Sequence, residues 1–594
     1  MSRLPRPPRE SLAAARGRTP DRILPVVTSL LLLTVAATSC TAPRIPVREA
    51  GSGADVARPS DVKRIVAAIQ GEATVLSTTL SPTGTAGSIP GVDALQDLLH
   101  AGLSNFNADG ELWPQLAERV PTPDNGLWKV SPDGRMETTW RLRENVVWHD
   151  GKPLTADDLL FTVQVAREKK NRTFSSSAWD SVDSAAAPDA RTLILTWSAP
   201  FIEADTLFTH LPARGAPLPR HLLEAAYVES PETLTDLPYW NQAYVGAGPF
   251  KLDELILGSH LVLTANDRYV LGRPKVDFIE VRFIPDATVI MTNLLAGSVE
   301  LAMGVRTALE VTTQTRDQWR TGTVEISSRG TSWLAIYPQF INPRPAILAD
   351  LRMRRALAHA LDRQEMVDTF VAGLTPVAHN VVRPTDADYE ATQSSVVRYE
   401  YDPAQAIQMI TNIGYTRASD GLFRNSSAQS LIVEAWATDQ TAIQPKALLS
   451  VADYWRRVGV GVETNVVPNQ RVADREYRNT RPAFEVLSSS AGSFTVFHSS
   501  QVPLPQNSFT GNNRSRYANP ELDALIDQYF RTIPRVERAQ IVGRIVHELT
   551  DQVAVIGIAF STSHGFIGQR LVNVHARGTR STEGWNAHEW DTRG

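Results

Sequence analysis

A single cysteine in a chain of 594 residues is the feature that most limits how this sequence can be held together. Cys40 has no partner within the chain, so neither a disulfide framework nor a cysteine-based zinc site is available. Stability must come from a packed core, and the composition supplies one: 42% of the residues are hydrophobic and 21% charged, as in ordinary globular domains. At roughly 100–200 residues per domain, the length corresponds to about three to five folding units or to one large two-lobed protein. The formal charge is −5, and no sustained run of Lys or Arg occurs, so the electrostatic footprint of a nucleic-acid binder is missing. The local basic patch from Arg167 to Arg172 reads as a solvated helix end.

The surroundings of Cys40 give it a different role. Six arginines from Arg3 to Arg22 precede an apolar run from Ile23 to Ala37, broken by Pro25, Thr28, Ser29 and Thr34. That run is short of the about 20 residues a bilayer span needs and suits the apolar region of a signal peptide. It ends in Ala36-Ala37-Thr38-Ser39 directly before Cys40. Such an ending resembles a bacterial lipobox, in which the thiol receives a diacylglycerol after cleavage, although Ala37 stands where a larger Leu is usual. The alternative is a plain signal peptide or anchor with an incidental cysteine. Either way residues 1–39 are expected to direct the chain out of the cytoplasm. Residues 40–61, with Pro43, Pro46, Gly51, Gly53 and Pro59, read as a flexible tether, so the mature protein is expected to be anchored to the membrane without spanning it.

From Val62 on, strand and helix signals alternate. Glu72 to Leu80 is rich in β-branched residues and is expected to form the first strand; Met136 to Arg143, Arg191 to Trp197 and Ser259 to Ala265 are further strands. Val92, Leu95, Leu98, Leu99 and Leu103 share one helical face. Thr155 with Asp158, Asp286, and Asp362 with Glu365 mark helix starts, and Asp402-Pro403 and Asn519-Pro520 place a cap acceptor before a proline at the first helical position. Mixed elements over more than 500 residues without an internal repeat predict an α/β fold in which distant segments join into lobes.

Searches for catalytic or metal motifs fail. Gly151-Lys152 lacks the upstream glycine of a phosphate loop, Gly246-Ala247-Gly248-Pro249 carries a proline where a dinucleotide-binding helix would open, and His547-Glu548 has no second histidine one turn on. No Gly-x-Ser-x-Gly elbow occurs. A dispersed Ser/His/Asp triad leaves no trace in spacing. No catalytic residue, metal ligand or cofactor is assigned, and a non-enzymatic protein is expected. His149-Asp150, between Trp148 and Gly151, reads as a turn.

One stretch does carry a family likeness. Gly102-Leu103, Pro114, Leu116-Ala117, Asp133-Gly134, Thr139-Trp140, Leu142-Arg143 and the run Val147 to Asp158 resemble the signature region of the family 5 extracellular solute-binding proteins, the oligopeptide, dipeptide and nickel-binding components of ABC importers. The likeness continues at Gly246 to Phe250, Asn266 with Tyr269, Gly272-Arg273-Pro274, Ile284 to Thr288, Asp350 to Leu357, Ala360 to Arg363, Gly414-Tyr415, Asn513-Arg514, Tyr517 and Asn519 to Asp523. It runs in family order from about residue 62 to the C-terminus.

The resemblance implies a two-lobed α/β fold of the periplasmic-binding-protein type II, with an extra subdomain. In it, residues 62–335 form a first lobe including a subdomain near 100–235, residues 336–520 a second lobe, and residues 521–594 a return to the first. A small solute, peptides among the classes, is captured between the lobes and delivered to ABC permease subunits by a monomeric, lipid-anchored protein. The Trp148 to Gly151 motif and the Arg352, Arg354 and Arg355 cluster beside Asp350 and Asp362 are expected to be structural. Expected ligand contacts lie just past strand ends: Thr79, Ser81 and Thr83; Trp333 and Tyr337 in the crossover; Trp436 and Thr438 after a strand over Leu431–Ala435; and Ser490 and Phe494. In peptide-binding members the segment matching Glu485 to Phe494 carries an aspartate that pairs with the ligand's α-amino group, but here no acid follows Glu485. Leaving a buried ammonium unpaired costs about 2–5 kcal/mol, which argues against the usual peptide mode. The alternative on the same scaffold is a lipoprotein of envelope assembly or regulation, without transport.

Overall fold

The computed structural model describes residues 62–80, 89–168, 174, 176–211 and 214–593. The expected leader and tether, with Cys40, and the expected contacts Ser81 and Thr83 lie outside the described residues. Among those described, no helix is long and apolar enough to cross a membrane.

The strand Arg64–Ile69 has Ile65, Ala67, Ala68 and Ile69 fully buried, the two-faced burial of a central parallel strand. It pairs in parallel with Phe278–Phe283 and with Leu301–Met303. Antiparallel strands complete a seven-stranded sheet in the order Gly322–Ser327, Ser563–Gly568, Leu301–Met303, Arg64–Ile69, Phe278–Phe283, His260–Ala265 and Phe250–Ile256. The strand expected over Glu72 to Leu80 is instead irregular. Its polar residues direct it elsewhere: the Thr78 N–H donates to Gln96 Oε1 and its hydroxyl to the His210 carbonyl, while the Leu76 N–H donates to the Trp240 carbonyl.

A four-stranded antiparallel sheet, in the order Trp128–Val130, Met136–Arg141, Thr192–Trp197 and Val182–Asp189, has its own core. Trp140, Trp148, Trp179 and Trp197 are fully buried in it. The helix Ala156–Ala166 covers it and begins in a capping box between Thr155 and Asp158. At the neighbouring turn the Gly151 N–H donates to the Trp148 carbonyl at 2.9 Å, and the His149 ring is bonded to Gly246 and Gly248, so the Trp148 to Gly151 motif is structural.

The third sheet has five strands, Gly461–Val467, Ile432–Thr438, Phe484–Ser490, Ser332–Pro338 and Ile556–Phe560. One face is covered by the helices Leu351–His359, Arg363–Val371, Pro403–Asn412 and Ile443–Arg457. The other is covered by Pro520–Arg531 and Arg535–Asp551. Arg354 and Arg355 tie the first of these helices to the end of the last, donating to the carbonyls of Gln552 and Asp551, while Arg352 pairs with Asp350; Asp362 instead caps its own helix.

The chain passes between the seven-stranded and five-stranded sheets at residues 328–331 and again at 561–562. The strand containing residue 335 therefore belongs wholly to the second lobe, and so do the helices over 520–551, which were expected to return to the first. The apolar stripe of the Pro520–Arg531 helix, Leu522, Leu525 and Ile526, is readable locally, but the sheet face it covers is set by strands far away in sequence. The two passages run side by side. Ser561 N–H donates to the Ser332 carbonyl at 2.9 Å, and Ser332 N–H donates to Ser561 Oγ at 3.2 Å. A Cβ on Gly330 would lie 2.1 Å from the Ser561 carbonyl oxygen, so only glycine lets the strands approach this closely. Gly330→Ala is expected to cost about 1–3 kcal/mol, seen as a lower urea midpoint with an unchanged slope.

Candidate functional site

The helix Pro520–Arg531 begins where Asn519 accepts the N–H groups of Glu521 and Leu522. Its buried stripe seats it beside Trp333 and Tyr337, which brings its last turn up against the Trp-rich subdomain. There the Ile202 N–H donates to the Phe530 carbonyl at 2.9 Å, and the Phe201 and Phe530 rings stack with centroids 6.0 Å apart. Phe530 packs against the cores of both the subdomain and the second lobe. Next to it Tyr529 meets Phe494 edge to face at 5.1 Å.

Charged groups gather around these rings. Glu203 pairs with Arg214, and Arg580 lies over the Phe106 ring at 5.3 Å. Burial and the Glu203 charge push the Asp205 carboxyl up to about 7, although Arg580 and Arg214 oppose the shift. Burial and Glu203 likewise push the Tyr529 hydroxyl up to about 12 against Arg538 and Arg580. One further contact joins the lobes, with Lys446 Nζ 3.2 Å from Glu310 Oε1, and in the first crossing Arg329 Nη1 donates to the Ala108 carbonyl at 2.8 Å. Aromatic area flanked by a few charges is the chemistry of a small-molecule cleft. Among the described residues no group of three His, Cys, Asp or Glu is placed to hold a metal ion. The buried His210–Asp97 pair shares its carboxylate with Asn105 and Thr582, tying the C-terminal segment to the first lobe.

The residues singled out from sequence fall into different settings. Ser490 is exposed at the end of its strand, opposite Ser332, and the Ala491 N–H donates to the Thr331 carbonyl. Ser490 and Phe494 thus lie beside the chain crossing. Trp333 and Tyr337 are buried, and their Nε1 and hydroxyl both bond Ser489 Oγ, at 3.1 and 2.5 Å. The strand expected over Leu431–Ala435 extends to Thr438, so Trp436 and Thr438 lie within it. Trp436 Nε1 donates to Glu434 and its ring packs on Tyr477; the Thr438 hydroxyl donates to buried Gln444. Thr79 lines a cavity of about 20 Å³ with His100, Tyr239 and Tyr244, inside the first lobe and large enough for about one water. Phe201, Asp205, Tyr529, Phe530 and Arg580 were not found from sequence, because what joins them is contact between segments hundreds of residues apart.

Asp205 makes the site sensitive to pH. Its folded value, about 7, lies above the ordinary 3.8, so between those values the folded chain holds this proton more tightly than the unfolded chain. The group's contribution to stability therefore falls as pH rises through that window. Asp205→Asn abolishes the titration. Its melting temperature relative to the native chain is expected to rise as pH increases across the window and to level off above it; a constant difference would remove Asp205 as the titrating group.

Residues 111–512 match the model of the bacterial extracellular solute-binding proteins, family 5. Over 294 residues the chain is 27% identical to a Brucella ovis protein assigned as an ABC transporter peptide-binding protein, covering 49% of this chain. The match spans about half, 51%, of that relative's length. Identity to the oligopeptide-binding protein AppA of Bacillus subtilis is 23% over 439 residues, covering 73% of this chain and 75% of AppA. The structure of AppA in complex with a nonapeptide aligns with a TM-score of 0.70 at 20% identity, covering 90% of this chain and 100% of AppA. That of NikZ from Campylobacter jejuni in complex with Ni(L-His) aligns with a TM-score of 0.72 at 21% identity, over the same shares. The fold is accordingly the two-lobed α/β architecture of periplasmic binding proteins. With the family model matching well over half of its residues, the chain belongs to the family 5 bacterial extracellular solute-binding proteins.

Proposed function

We propose that this chain is an extracytoplasmic solute-binding protein that captures a small solute between its lobes and delivers it to the permease of an ABC importer. The observation that carries the reading is the seam beside the paired crossings, where an aromatic wall of Phe201, Phe494, Tyr529 and Phe530 meets the charges of Glu203, Asp205 and Arg580. Such a seam offers apolar area and polar anchors without nucleophile–base chemistry, which supports a binding role and not an enzymatic one. In this reading Ser490, Phe494 and Tyr529 contact the solute from the second lobe, Asp205 faces it from the first, and hinge motion about residues 328–331 and 561–562 couples occupancy to shape. Anchoring through a lipid on Cys40, and action as a monomer, belong to the same proposal.

The solute class is narrowed by charge. Glu485 is ion-paired to Arg478, and Gly492 packs against the Arg383 guanidinium, which Asp386 binds at 2.7 Å. A free α-ammonium placed in this segment meets no spare carboxylate, so the reading favours a solute that is blocked, neutral or anionic at that end. A cleft filled by its own aromatic side chains is instead what the envelope or regulatory alternative requires. Gentle purification of the mature protein followed by mass spectrometry of retained small molecules tests the choice. A reproducible solute that raises the melting temperature is expected, with affinity lowered about tenfold or more by Tyr529→Ala. If no solute is retained or stabilises the chain, the transport reading fails.

A further inference from the structure

A different polar cluster lies at the end of the Ser332–Pro338 strand away from the crossings. Glu485 stands opposite Tyr337 in the strand register and is 2% exposed. Arg478 and Arg481, each 1% exposed, and half-buried Arg514 surround it. Arg478 Nη2 donates to Glu485 Oε1 at 2.7 Å, but Arg481 Nη1 stands 3.8 Å from Oε2, beyond hydrogen-bond reach. Arg481 Nη2 donates to the carbonyls of Tyr337 and Arg514, and Arg514 Nη1 approaches Asn479 Oδ1 at 3.5 Å. Neighbouring Arg516 donates to the carbonyls of Pro503 and Asn479.

These bonds leave a residue of both geometry and charge. Nε and Nη1 of Arg478 and of Arg481 are buried without a hydrogen-bond partner among the described residues. Among those residues, Glu485 is the one carboxylate ion-paired with this group, to Arg478 and Arg481 and not to Arg514, and its Oε2 is itself without a hydrogen-bond partner. A water can satisfy a stray N–H group but cannot neutralise a buried charge, and uncompensated ions are what a folded interior tolerates least. Guanidinium groups are also the donors best shaped for a planar carboxylate.

We propose that Arg478, Arg481 and Arg514 form a binding site for a small monovalent anion, either a free halide or a carboxylate group. Glu485 neutralises one of the three positive charges and the anion occupies the unpaired N–H groups. The site does not depend on the transport reading, since a second lobe that holds an anion does so whatever the cleft accepts.

Crystals of the full chain grown without halide and soaked in sodium bromide test this by anomalous scattering. Bromide density within hydrogen-bond reach of Arg478 and Arg481 is expected, and the same soak with sodium acetate separates the two sources: displacement of bromide identifies a carboxylate site, retention a halide site. In solution, bromide is expected to raise the melting temperature of the native chain more than that of Arg514→Gln, by roughly 2 °C or more. Bromide found elsewhere and not at this cluster is an adventitious ion only and overturns the proposal. An equal response of the native and Arg514→Gln proteins overturns it as well.

Discussion

The hydrogen-bonded pairing of Ser332 with Ser561 is the constraint on which the rest of the architecture depends. Two passages of the chain, more than two hundred residues apart in sequence, are zipped together where they leave one sheet for the other. A single crossing would leave the lobes free to rotate about a flexible link. Two crossings side by side permit bending and resist twisting, so the aromatic groups at the seam always meet the same partners. The close fit at Gly330 belongs to this arrangement, because any side chain there would push the passages apart.

Much of this was legible in the sequence wherever the determinant is local. Cap acceptors at Thr155, Asp286, Asp402 and Asn519 sit at the helix starts they predict. The alternating segment at Met136 became a strand with every second residue buried at its start. The motifs carrying the family likeness pointed to a fold that the whole-chain comparison then bore out. What failed was decided at long range. Glu72 to Leu80 has the composition of a strand, yet Arg64–Ile69 occupies the central place because its side chains after Arg64 are all apolar and can be buried on both faces. The strand through Trp436 and Thr438 runs further than its apolar start suggested, since Thr438 finds a buried amide partner in Gln444. The division between lobes expected at residue 335 falls inside the strand Ser332–Pro338, and at the other end a helix pattern says which face is apolar, never which sheet will cover it.

Charge is distributed unequally between the two halves of the molecule. On the first-lobe side of the seam, carboxylates crowd one another, and Asp205 is held near neutrality by its surroundings. In the second lobe, guanidiniums outnumber carboxylates around Glu485 and press its carboxyl well below the ordinary range against the opposing effect of burial. Both imbalances are unfavourable to a folded chain in isolation, and both are relieved by a bound group of opposite sign. Polar strain of this kind is what a bound group of opposite charge would relieve.

Phe530 gives the seam a further property. Its ring is shared between two hydrophobic clusters and stacked on Phe201, while its backbone carbonyl receives the Ile202 N–H. Parting the halves must strip this residue of one set of neighbours in a single event, breaking a stack and a backbone bond together. Close-packed surfaces do not stretch by degrees, so a hinge motion of the kind proposed above would meet a threshold at this joint, which would then act as a latch with two settings in place of a spring.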